Sequence, residues 1–87
     1  KRNLLRIFDQ LPEIPEDYHG VLMDRCFEYI ADPDETIAAQ AYALGILDKL
    51  TKIYPEIFPE LKTVIEVRML NAAPAFRSRG KKILKRK

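Results

Sequence analysis

The densest cluster of side chains able to do chemistry is the stretch FRSRGKKILKRK, Phe76 to Lys87. There Arg77, Arg79, Lys81, Lys82, Lys85, Arg86 and Lys87 form a run of seven cations with no acid among them. Such a run can neutralise several phosphates of a nucleic acid or another polyanion, and counterion release would make that binding salt-dependent. Only Phe76 brings an aromatic ring to it, so base stacking has little material. A plainer reading competes and is preferred: cations in the last turns of a helix favour its negative end, and a charged chain terminus is usually a solvated run. A membrane surface is the third reading.

Three smaller groups invite a chemical reading. Asp32, Asp34 and Glu35 could offer oxygens to a divalent cation, but they lack the repeated ligand spacing and the turn glycine of a calcium loop. Carboxylates before a helix are already explained by capping. Asp17 and His19 could form an acid–base dyad, yet residues two apart on a helix do not face each other, and His19 is expected at the surface. Cys26 shares an apolar helix face with Leu22 and Ile30, without a basic neighbour there to lower its thiol pKa, so it reads as a small core residue. The chain has no serine elbow, phosphate loop, paired-cysteine zinc pattern or HExxH. No catalytic residue, metal or cofactor is therefore expected.

These residues need positioning, and the stretch that organises the rest is DPDETIAAQAYALGILDKLTKI, Asp32 to Ile53. It predicts one long helix with Asp32 as N-cap, Pro33 at the first helical position and Glu35 closing a capping box. Between Ile37 and Leu47 only Gln40 and Tyr42 are polar, and Ala38, Ala39, Ala41, Ala43 and Gly45 are small. A helix apolar nearly all round must be covered on several sides, and small residues admit close neighbours.

Leu4, Leu5, Phe8 and Leu11 mark a short amphipathic helix over Asn3–Leu11, which Asn3 could cap. Pro12 and Pro15 break the chain. Tyr18, Leu22, Cys26, Tyr29 and Ile30 then predict a second helix over Glu16–Ala31. After the central helix, a fourth is expected to start near Pro59, with Leu61, Val64, Ile65 and Met69 inward. Asn71–Ala73 connects it to a last helix that Pro74 opens, whose apolar edge is Phe76, Gly80, Ile83 and Leu84. No alternating run or hairpin turn argues for a strand, so the fold class is all-α.

The 87 residues suffice for one domain. With 47% hydrophobic and 32% charged residues the composition is globular, and its apolar runs fall short of the roughly 18 residues a membrane span needs. The single cysteine implies no oxidising compartment, and a cytoplasmic location is expected. A first residue Lys1 rather than Met suggests a fragment of a longer chain. The net charge of +2 conceals opposite signs: residues 1 to 76 carry −5 and residues 77 to 87 carry +7.

A weak repeat runs through this pattern. Pro12-Glu13-Ile14 recurs as Pro55-Glu56-Ile57, Pro15-Glu16 as Pro59-Glu60, and Ala31-Asp32-Pro33 as Ala72-Ala73-Pro74, at shifts of 43, 44 and 41 residues. That period, with helices on either side of a proline turn, is the one expected of two-helix solenoid units, here 12–53 and 55–87. In its AAQAYALGILDKL helix, its YPEIFPEL turn leading into TVIEVRML, and its basic last helix, the sequence resembles the HEAT-repeat family. The resemblance implies about five antiparallel helices in a short HEAT-like stack. It also implies a scaffold that binds a protein partner or another copy of itself, without catalysis of its own. Two alternatives stand beside that expectation: a nucleic-acid or polyanion-binding module acting through the basic last helix, and a helical accessory domain of a larger enzyme.

Overall fold

The computed structural model describes residues 2–70 and 72–86, with the side chains of residues 2, 3 and 86 left aside. It contains five α-helices: α1 (Arg2–Gln10), α2 (His19–Ala31), α3 (Ile37–Ile53), α4 (Phe58–Arg68) and α5 (Pro74–Arg86). Single 3₁₀ turns at Glu16–Tyr18 and Pro55–Ile57 lead into α2 and α4. No strand occurs among the described residues. Asn71 and the expected capping side chain of Asn3 lie outside the description.

Helix α3 packs against α1, α2 and α5, while α2 packs on α4 and α4 on α5. The result is two layers, α1–α3–α5 and α2–α4, in a slab of 33 × 27 × 19 Å. The thin dimension is two helix diameters of roughly 10 Å. As the run of small residues predicts, Ala39, Ala43, Leu44, Ile46, Leu47 and Leu50 of α3 are buried, and even Gln40 and Thr51 are covered. Leu5, Leu22, Cys26, Ile30, Leu61, Ile65, Phe76 and Ile83 close around them from the other four helices.

The start of α3 differs from its sequence expectation. Asp32 is the C-cap of α2, in extended geometry (φ −91°, ψ 111°), and its Oδ1 accepts from the Asp34 N–H at 2.9 Å in a local turn. Thr36 is the N-cap instead, and its Oγ1 accepts from the Ala39 N–H at 3.2 Å. Gln40 supports this arrangement: its buried Nε2 donates to the carbonyls of Tyr29 at 3.2 Å and Asp32 at 2.6 Å. That amide adds a second hydrogen bond to two carbonyls that already accept from the Asp32 and Glu35 N–H groups, and so braces the turn in which Asp32 stands outside the helix. Replacing Thr36 with Ala is therefore expected to cost about 1 kcal/mol in urea denaturation. Asp32→Ala, which removes only an exposed turn bond, should cost less; the reverse order would restore Asp32 as the cap.

Cys26 is fully buried, and desolvation, aided by the charge of Asp9, pushes its thiol from 9.0 up to about 12. In the folded chain the proton therefore stays on sulfur well above neutrality, where the unfolded chain has already released it. Stability from this residue is full below pH 9 and declines as pH rises from there toward 12. At pH 8 a small alkylating reagent should modify Cys26 only at the rate of global opening, faster with added urea. Rapid labelling of native protein would contradict this burial.

Candidate interaction surface

Charged side chains gather on the solvent side of the α1–α3–α5 layer. Asp9 of α1, Gly45, Asp48, Lys49 and Lys52 of α3, and Arg79, Lys82 and Ile83 of α5 line a groove of about 390 Å³. A neighbouring groove of about 680 Å³ runs between the Pro12–Glu16 turn and the end of α3, lined by His19, Lys49, Lys52 and Ile53. Lys52 and Lys82 are solvent-exposed at the first groove.

The other two cations there hold the layer together. Arg79 Nη1 donates to Asp9 Oδ2 at 3.3 Å and to the Ala41 carbonyl at 3.0 Å, joining α5 to both α1 and α3. Lys49 Nζ donates to the carbonyls of Phe8, at 3.3 Å, and of Asp9, near the end of α1. Gly45 makes room for this. A Cβ added there would overlap the Asp9 carboxylate and come within 2.8 Å of Arg79 Nη1. In the opposite layer Arg68 Nε donates to the Ile30 carbonyl at 3.1 Å, and its guanidinium lies 5.8 Å from the centre of the Phe76 ring.

Of the seven basic residues predicted as a polyanion site, the structure gives them different tasks. Arg77, Lys81 and Lys85, spaced by four, share an exposed stripe of α5, and Pro74 and Ser78 flank its first turns. Lys82 faces the groove, and Arg79 is tied inward. Lys87 and the side chain of Arg86 lie outside the description.

His19 corrects its expected surface position: it is buried. Its Nε2 donates to the Ile14 carbonyl at 2.8 Å, and its Nδ1 lies 3.0 Å from the Tyr54 hydroxyl, whose ring meets the imidazole edge-on. The imidazole fastens the Pro12–Pro15 turn to the end of α3, and no dyad with Asp17 forms; Asp17 is exposed. Asp32, Asp34 and Glu35 serve local turns, and no group of three or more His, Cys, Asp or Glu is arranged to hold a metal among the described residues. Nor is any helix there long and apolar enough to cross a membrane.

Paired helices stacked in two layers, with one layer offering an open grooved face, define a helical-repeat protein. All 87 residues match the family model of the HEAT repeat domain, and the chain belongs to the HEAT repeat family. Members of that family serve as helical scaffolds for protein interaction. No curated protein and no solved structure matches the chain.

Proposed function

We propose that this chain is a non-catalytic scaffold that holds an acidic segment of a protein partner across the α1–α3–α5 face. The observation that carries the reading is the division of labour among the groove cations. Arg79 and Lys49 fix the helices, while Lys52 and Lys82 stand exposed on either side of the groove. Repeat stacks present such extended faces for binding. The two side chains best suited to acid–base or nucleophilic work, His19 and Cys26, are committed to the core. The free thiol also fits a cytoplasmic setting.

The test is selection of peptides on the immobilised chain from an unbiased library. Enrichment of acidic peptides is expected, with affinity that falls with added salt and drops about tenfold in the K52E/K82E double variant. Enrichment without acidic bias, or peptides indifferent to K52E/K82E, would overturn it.

The exposed Arg77, Lys81 and Lys85 stripe favours a second reading, in which the last helix binds a polyanion. Truncating residues 77–87 cannot test it, because Arg79 and the buried Ile83 would go too. The clean comparison is duplex DNA and RNA binding at two salt concentrations by the wild type and by R77E/K81E/K85E. Salt-sensitive binding lost in the variant supports this reading, and no binding at low salt ends it.

A further inference from the structure

Helix α1 carries more apolar surface than the rest of the chain covers. Leu5 points into the core at 4% exposure, but Leu4 and Ile7 remain 60% and 54% exposed, and Leu11, whose N–H still bonds the Ile7 carbonyl, is half-buried. Leu4, Ile7 and Leu11 are spaced by three and four, the seam of a helix awaiting another helix. Phe8 extends that surface to Tyr18, with ring centres 5.3 Å apart and Tyr18 half exposed.

We propose that this seam is a two-fold interface on which a second copy of the chain seats its own α1 in the opposite direction. Antiparallel pairing centred between Ile7 and Phe8 sets Leu4 of each copy against Leu11 of the other, so the seam is self-complementary, as an isologous contact requires. Charge agrees with that direction. The positive start of α1 would lie beside the partner copy's exposed Glu13, just past the end of its α1, with the exposed Glu16 and Asp17 following it. Within the same layer the helix at the far side does not match the seam: the outward stripe of α5 is Arg77, Lys81 and Lys85. Head-to-tail stacking of α1 on α5 would press leucines against lysines, whereas two-fold pairing buries like against like. So short a seam belongs with the smaller interfaces, and micromolar association is expected.

Sedimentation equilibrium of the 87-residue chain, from micromolar to millimolar, tests the inference. A monomer–dimer equilibrium is expected, and Ile7→Asp should raise its dissociation constant at least roughly thirtyfold while helical circular dichroism is retained. Leu70→Asp, at a residue 87% exposed after α4, should leave dimerisation unchanged. As a second measurement, Ile7→Cys should yield a covalent dimer under mild oxidation, and Leu70→Cys should not. A monomer at all concentrations, a dimer indifferent to Ile7→Asp, or growth beyond the dimer would overturn the proposal.

Discussion

Phe76→Ala is expected to destabilise the protein by about 3–5 kcal/mol, a large part of the stability of so small a domain. Phe76 is the largest fully buried side chain, and it is the anchor of a helix that is otherwise mostly basic. Its neighbours cannot easily collapse into the space. Gly80 brings α5 so close to α4 that an added Cβ would lie 2.9 Å from Ile65 Cγ2, so the two backbones have little room to rearrange. Removing the ring also strips Arg68 of the surface over which its guanidinium lies, while that residue's Nε remains bound to the Ile30 carbonyl. Chemical denaturation should show the loss. Native-state hydrogen exchange should show α5 as the first helix to release its amides, because the half-exposed Arg79 bonds and the Gly80 and Ile83 contacts would have to hold it without its one large buried ring. A cost below about 1 kcal/mol would mean that the site relaxes freely, contrary to its packing.

The second large effect runs in the opposite chemical direction. Ala43→Leu adds apolar atoms to a position with no exposed surface, in the middle of the helix that three others touch. In an exposed helix the change would be nearly neutral by propensity. Here it is expected to cost about 2–3 kcal/mol, because the added atoms must push α3 away from its neighbours. Denaturation of Ala43→Leu beside Ala38→Leu, at a half-buried position of the same helix, separates the two contributions. Only Ala43→Leu should be strongly destabilising. Equal stability would mean that α3 is not the packed centre of the slab.

Much of the architecture was legible because burial is written into residue size and spacing. The alanine-rich run of α3, the stripe of Leu22, Cys26 and Ile30, and the Phe76–Gly80–Ile83 edge all point inward as their periodicity predicts. The structure departs from its sequence pattern where a side chain answers a group distant in sequence. Asp32 and Thr36 are both good caps locally, and the turn that leaves Asp32 outside the helix is braced by Gln40, eight residues beyond Asp32. His19 is polar and follows two polar or acidic positions, so its burial depends on the Ile14 carbonyl and Tyr54, which no local pattern pairs with it. Along the chain the candidate site is one basic run, yet Asp9 lies 70 residues from Arg79 and removes that cation from the set. The groove itself is assembled from α1, α3 and α5. Its cations are divided into structural and exposed ones by contacts that spacing along the chain cannot encode.

The long-range ties also shape how the molecule resists unfolding over time. Lys49 reaches back 40 and 41 residues to α1, Arg68 reaches 38 to α2, and Arg79 spans 70 to Asp9. Each closes a large loop whose entropy must be lost before the bond forms, and each is expected to be made only after the rate-limiting step of folding. Removing one, as in Lys49→Met, should leave the refolding limb of a chevron plot nearly unmoved and raise the unfolding limb. The bonds between distant segments thus act as latches on the exit rather than guides to the entrance.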